Sequence, residues 1–218
     1  MGMIPDSEKG KIKKELEGLV KPVKLVNFSQ ELECQYCRET KNLMMDVAEL
    51  SDKITAESYN LITDKEIAQK YNVEQIPATV ITAADDGNSR IKFYGIPSGY
   101  EFVSLLEAIK MVSTGESGLS PTGKEFLKTL NKPVDLQVFI TPTCPYCPRA
   151  VILAYQMAYE SPLVTAAGIE VIEFPHLGNK YEVRGVPRTI INDKVPLEGA
   201  APESMLIESI KMAITEEH

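Results

Sequence analysis

Cys34-Gln35-Tyr36-Cys37 and Cys144-Pro145-Tyr146-Cys147 stand 110 residues apart. At the same spacing Tyr71-Asn72-Val73-Glu74-Gln75-Ile76-Pro77-Ala78-Thr79-Val80-Ile81 is answered by Tyr181-Glu182-Val183-Arg184-Gly185-Val186-Pro187-Arg188-Thr189-Ile190-Ile191. In both halves the first cysteine precedes the proline by 43 residues, 34 to 77 and 144 to 187. Two separate similarities held at one spacing mark an internal repeat. The 218 residues therefore read as two units, each long enough to bury its own core.

Outward from each cysteine pair the hydrophobic pattern repeats as well. A helix is expected at about 8–19 and again at about 121–131, followed by β-branched runs from Val23 to Phe28 and from Val134 to Ile140. The cysteines come next and open a helix in each half. Its apolar stripe is Leu43, Met44, Val47 and Leu50 in one, and Val151, Ile152, Tyr155 and Met157 in the other. Further strands are expected at 56–62 and 169–174, a short helix at 64–71 and a single turn at 178–182. After each repeated proline two short strands form a hairpin, with Asp86-Gly87 and Asn192-Asp193 supplying the turns, and a last helix closes the unit. The breaker-rich stretch Ser113 to Pro121 places the boundary, giving units 1–115 and 116–218. The fold class is α/β, with two mixed central sheets flanked by helices.

The cysteines carry the chemistry. All four fall in the two pairs, so none is left over to staple the fold. Two intervening residues at a helix start bring cysteines i and i+3 to one face, where a disulfide can open and close with little rearrangement. The helix N-terminus favours thiolate over thiol, which makes Cys34 and Cys144 the nucleophiles. Cys37 and Cys147 then resolve the mixed disulfide from within the chain. Glu33 precedes Cys34 and disfavours its thiolate, whereas Thr143 precedes Cys144 and Pro145 pre-sets helical φ, so the second site is expected to be the stronger oxidant.

Two readings from other classes compete: a zinc site built from both pairs, and a binding module with idle cysteines. Paired zinc ligands are usually about 15 to 20 residues apart, and here each pair heads its own repeat. Composition narrows the partners. Apolar residues make up 44% and charged residues 25%, and the net charge of -8 comes with no basic stripe, which argues against nucleic acid and anionic membranes. The first residues lack the apolar stretch of a secretory signal and no run approaches membrane-spanning length, so the cytosol is the expected compartment. His176 reads as a loop or packing residue, Met44, Met45 and Met157 as core, Arg38, Arg149 and Arg188 as solvated cations, and Asp85-Asp86-Gly87-Asn88 as a hairpin turn. No metal is expected.

With these motifs the sequence resembles the thioredoxin superfamily, whose mark is a Cys-x-x-Cys after the first strand and a cis-proline before a later one. Ile76-Pro77 and Val186-Pro187 stand where that family has its cis-proline, and in it that segment offers backbone groups to an extended substrate. Over nearly its whole length the chain is similar to the glutaredoxin-like protein disulfide oxidoreductases of hyperthermophilic archaea and bacteria. That resemblance implies two tandem thioredoxin-like folds. It also implies reduction, oxidation and isomerisation of protein disulfides in a disulfide-rich cytoplasm, with no bound organic cofactor and with a flavin-dependent thioredoxin reductase as electron partner. Cys-Pro-Tyr-Cys occurs in glutaredoxins too. Val186 before the proline and Gly199-Ala200 in place of that family's Gly-Gly pair argue against a glutathione site.

Overall fold

The computed structural model of the chain describes residues 2–215. The chain divides into two compact units, Met1–Ile96 with Ile109–Glu116 and Pro97–Ala108 with Ser117–His218. The first holds α1 (Asp6–Leu16), β1 (Val23–Ser29), α2 (Cys37–Ala48), β2 (Ile54–Asn60), α3 (Lys65–Lys70), β3 (Ala78–Ala83) and β4 (Ile91–Tyr94). Helix α4 (Glu101–Thr114) follows, and the division between the units falls inside it. The second unit continues with α5 (Pro121–Lys128), β5 (Val134–Ile140), α6 (Cys147–Glu160), β6 (Val164–Glu170), α7 (Pro175–Lys180), β7 (Arg188–Ile191), β8 (Val195–Glu198) and α8 (Glu203–Thr215).

Each unit builds the same mixed arrangement of strands. In the first, β1 runs parallel to β2 and antiparallel to β3, which pairs antiparallel with β4, giving the order β2-β1-β3-β4. In the second the order is β6-β5-β7-β8, with the same directions. The central strands are apolar because helices cover both faces: Val23, Leu25, Val26 and Phe28 are fully buried in β1, as are Leu136, Val138, Phe139 and Ile140 in β5. A parallel pair needs a crossover, and the helix that opens at the cysteines supplies it. Cys37, Thr40, Met44 and Val47 fall on one side of α2 at i, i+3, i+7 and i+10, so the periodicity that buries the helix also turns the second cysteine inward. In α6 the stripe is wider and finer-grained: Ala150, Val151, Ala154, Tyr155, Met157 and Ala158 are buried, while Ile152 is only half-buried.

Helices α1 and α5 end three residues before the expected 19 and 131, β2 lies two residues ahead of the expected 56–62, and two elements of the second unit depart for a reason visible in the fold. Strand β6 begins at Val164, five residues earlier than the expected 169. Its middle is Ala166-Ala167-Gly168, whose small side chains carry little strand signal but leave room for α6 to pack closely. The helix expected as one turn at 178–182 is α7, Pro175–Lys180, started by a proline at its first turn where the missing N–H costs nothing. Among the described residues no helix is long and apolar enough to cross a membrane.

Helices α3 and α7 end alike. Asn72 and Glu182 adopt left-handed φ of 52° and 51°, and the next amides close back on the helices, Val73 to Ala68 O at 2.9 Å and Val183 to Gly178 O at 2.8 Å. Asparagine tolerates this backbone, whereas glutamate is strained in it by about 1 kcal/mol or more. Glu182→Gly should therefore raise stability by about 0.5–1 kcal/mol in urea unfolding, and Glu182→Val should lower it. Equal destabilisation by both would contradict this account of the turn.

Candidate active site

The site in each unit forms where the central strand ends and the chain turns into a helix. Both cysteine pairs are closed, Cys34–Cys37 and Cys144–Cys147, each with a Cα–Cα distance of 5.5 Å. The helices start at the second cysteine of each pair, so Cys34 and Cys144 stand three residues ahead of the first helical residue. In both pairs the first cysteine is the more open one. Cys34 is half-buried against 1% exposure for Cys37, and Cys144 is 8% exposed against 0% for Cys147. In each pair the first sulfur is thus the one nearer solvent, and the second lies in the core.

Helix starts leave amides without intrahelical partners, and these are usually met by a Ser, Thr, Asp or Asn side chain. Tyr36 and Tyr146, which precede α2 and α6, make no side-chain cap. In the second unit the sulfur takes that place: the Cys147 amide donates to Cys144 Sγ at 3.1 Å. Among the described residues Cys34 Sγ receives no such bond; there the Gln30 amide donates to Cys37 Sγ at 3.4 Å. The loop before Cys34 is also one residue longer, and Glu33 in it sits at a φ of 57°, a conformation unfavourable for glutamate.

The peptide bonds Ile76–Pro77 and Val186–Pro187 are both cis. The Pro77 and Pro187 carbonyls each accept from a glycine amide at 2.8 Å, Gly95 and Gly199, which fixes the turn at the start of β3 and β7. Cys144 Sγ lies 3.8 Å from the Val186 carbonyl oxygen, so the proline segment of the second unit abuts its disulfide. Exposed apolar side chains occur in the flanking loops of both units, Leu32 and Ile62 in the first and Tyr146 and Ile172 in the second.

The ground beneath the two sites differs. In the first unit Asn27 is fully buried opposite Ser58 and Thr79. Its amide donates to Ala78 O at 3.1 Å and to Thr79 Oγ1 at 3.5 Å, and it accepts from Ser58 Oγ at 3.2 Å. The matching strand positions in the second unit are Val138, Gly168 and Thr189. Asn60 and Glu170 end β2 and β6 and do the same work. Asn60 Oδ1 accepts from the Ile62 and Thr63 amides, and the buried Glu170 carboxylate accepts from Ile172 and Glu173 at 3.2 and 2.7 Å. Burial pushes the Glu170 carboxyl up, against the pull of those two amides.

Of the residues set aside in the sequence, Met45 is half-buried rather than core, and Arg188 is half-buried rather than solvated. Met44 and Met157 are buried; Arg38 is exposed beside Glu39, and Arg188 pairs with Glu198 at 2.5 Å on neighbouring strands. His176 lies with its ring 6.0 Å from Phe174. Among the described residues no three His, Cys, Asp or Glu side chains are grouped to hold a metal ion.

One group escaped the sequence reading. Gly99, at a φ of 59°, packs so closely on Pro142 that a Cβ would collide with its carbonyl oxygen, and the Tyr100 amide donates to that oxygen at 3.0 Å. This clamps the loop leading to Cys144. Close behind it, Glu101 is fully buried; Ser104 Oγ donates to its Oε2 at 2.6 Å, and Oε1 is buried with no hydrogen-bond partner among the described residues. Burial, only partly offset by Ser104, pushes its carboxyl up to about 7. In the sequence Glu101 reads as an ordinary acidic residue in a first helical turn, and nothing local reveals its burial.

A carboxyl with a native pKa above its unfolded value binds more protons in the native state between those two values, here from 4.5 to about 7. Stability is lost as pH rises through that window. Relative to Glu101→Gln, the wild type should lose about 2–3 kcal/mol between pH 5 and pH 8 in urea unfolding. A difference between the two proteins that does not change with pH would contradict the buried, proton-holding carboxyl.

Comparison with known proteins finds the same fold twice along the chain. The thioredoxin domain model matches residues 24–107 and again 134–211. The crystal structure of a protein disulfide oxidoreductase from Aeropyrum pernix K1 superposes with a TM-score of 0.90 at 30% identity, covering 96% of this chain and 93% of that one. An alkyl hydroperoxide reductase component of Escherichia coli is 26% identical over 192 residues, 88% of this chain but 34% of the relative, so the chain spans about a third of that protein's length. A thioredoxin of Methanocaldococcus jannaschii is 35% identical over 79 residues, 36% of this chain and 93% of the relative. Two family matches, one around each closed cysteine pair, and a tandem relative that superposes end to end show that this chain belongs to the thioredoxin domain family, with the fold present twice.

Proposed function

We propose that the chain is a protein thiol–disulfide oxidoreductase that exchanges disulfides at two sites, one in residues 1–115 and one in 116–218. In the reducing direction the Cys144 or Cys34 thiolate attacks one sulfur of a substrate disulfide. The substrate S–S bond breaks, one substrate sulfur leaves as thiolate, and a mixed disulfide joins the other to the enzyme. Cys147 or Cys37, as thiolate, then attacks the enzyme sulfur of that bond, closing the intramolecular disulfide and releasing the second substrate thiolate. Two electrons pass to the substrate, and two protons follow from the enzyme thiols. Oxidation is the reverse, and isomerisation stops at the mixed disulfide until another substrate thiol attacks it.

The observation that carries this reading is the position of Cys144 Sγ, 3.1 Å from a helix-starting amide and 3.8 Å from the carbonyl before a cis-proline. The amide favours the thiolate that attacks. The proline segments, Ile76-Pro77 and Val186-Pro187, offer backbone groups against which an extended substrate can lie, and the exposed apolar side chains nearby suit an unfolded polypeptide. The amide on Cys144 also supports the second site as the stronger oxidant. A difference of about 30 mV between the sites corresponds to roughly tenfold in the direction of electron flow.

Protein disulfides are the substrates under this reading, and a flavin-dependent thioredoxin reductase is the electron donor. The likeness to a much longer protein named as a reductase supports a role in passing electrons between proteins. The cytoplasm, where such a donor acts, is the proposed compartment.

In dithiothreitol-driven insulin reduction, Cys144→Ser should lose more activity than Cys34→Ser, by about tenfold, and the double variant should match the uncatalysed rate. Unimpaired turnover by the double variant would remove the cysteines from the reaction.

A further inference from the structure

The two sites differ in what surrounds them, and the difference has the character of a ligand preference. Beside Cys34 and Cys37 opens a cleft of about 490 Å³, whose lining includes two cations, Arg38 and Lys41, and two anions, Glu31 and Asp64. Its size falls in the range of roughly 300–1,000 Å³ found for small-molecule sites. Lys41 follows Cys37 by one helical turn on α2, so the cation and the sulfur share a face. Among the described residues Lys41 and Glu31 make no ion pair. Asp64 accepts the Asn60 amide through Oδ2 at 2.7 Å, and among the described residues its Oδ1 takes no hydrogen bond.

Dithiol chemistry does not require these charges, because the second unit replaces them. At the repeat spacing Arg38, Lys41, Ser58, Tyr59 and Asp64 correspond to Pro148, Val151, Gly168, Ile169 and Phe174. Val151 is fully buried and Phe174 is 3% exposed. Three of the four charged positions around the first disulfide, Arg38, Lys41 and Asp64, are thus apolar in the second unit, and the fourth, Glu31, is answered by the uncharged Thr141.

Building on the exchange chemistry above, we propose that the cleft of the first unit takes a small disulfide whose ends each bear an ammonium and a carboxylate, the cystine class. Arg38 and Lys41 face a carboxylate, and Glu31 and Asp64 face an ammonium. The reduced pair is the electron source. The Cys34 thiolate attacks one cystine sulfur, the cystine S–S bond breaks and one cysteine leaves as thiolate. Cys37 then attacks Cys34 Sγ, forms the Cys34–Cys37 bond and releases the second cysteine. Two electrons and two protons pass from the enzyme dithiol to two cysteines, and a dithiol reductant restores the site.

The test uses the 218-residue chain carrying Cys144→Ser and Cys147→Ser, reduced and freed of reductant. It is mixed with cystine or with the uncharged bis(2-hydroxyethyl) disulfide, and loss of free thiols is followed by stopped flow. Each rate is divided by that of dithiothreitol with the same disulfide, which removes the intrinsic difference between the leaving thiols. The normalised rate should favour cystine by about tenfold, as two partly exposed ion pairs would give, and the preference should weaken with added salt. It should fall towards one in the same chain carrying Arg38→Ala and Lys41→Ala, and stand near one in a chain carrying Cys34→Ser and Cys37→Ser instead. A normalised ratio of one in the first chain overturns the cystine assignment while leaving exchange in place. Failure of both disulfides to oxidise any reduced pair overturns the exchange reading with it.

Discussion

An α-helix begins with amides that nothing inside the helix can satisfy, and in each unit of this protein the first cysteine is placed just ahead of such a start, its sulfur taking one of those amides in the second. The rest of each unit can be understood as the apparatus that keeps it there. A largely buried central strand delivers the chain to the turn, the helix beyond it is anchored by its apolar stripe, and the second cysteine belongs to that stripe as well as to the disulfide. One periodicity serves both purposes. Because Cys37 and Cys147 are core residues, the second sulfur of each pair is held in place while the first cysteine stays closer to solvent.

The same constraint explains why the two sites need not behave alike. Where the loop before the first cysteine is short, the Cys147 amide reaches Cys144 Sγ and the neighbouring carbonyl of Val186 closes in. Where it is longer by one residue, with Glu33 at positive φ, the first sulfur takes no such bond among the described residues, and a different amide, that of Gln30, donates to Cys37 Sγ. Beneath the first site lies a hydrogen-bonded group of Asn27, Ser58 and Thr79; beneath the second, Val138 and Gly168 are apolar at the matching positions. Duplication has kept the backbone device and let the surroundings diverge, which is how one fold comes to hold two chemically distinct pairs.

Much of this was legible in the sequence because the repeat doubles every signal. The spacing of cysteine and proline marked the two units, and the β-branched runs before each pair located β1 and β5 to within a residue. What stayed hidden depends on contacts between distant residues. Ala166-Ala167-Gly168 gives no strand pattern, yet β6 runs through it because α6 packs there. Glu101 looks like a solvent-facing helix start, and only the close approach of Gly99 to Pro142 shows why it is buried. The charged cleft by Cys34 joins residues from a loop, α2, β2 and the start of α3, and no single segment announces it. Asn27 was visible as a polar residue within an apolar run, but its partners were not.

The central claim is that the first cysteine of each pair attacks and the second resolves. Trapping tests it most directly: Cys37→Ser and Cys147→Ser chains are incubated with an excess of a disulfide-bonded peptide and digested for mass spectrometry. The account predicts stable mixed disulfides on Cys34 in the first variant and on Cys144 in the second. Variants that stay unmodified at Cys34 and Cys144, while Cys34→Ser and Cys144→Ser chains accumulate adducts on Cys37 and Cys147, would contradict it.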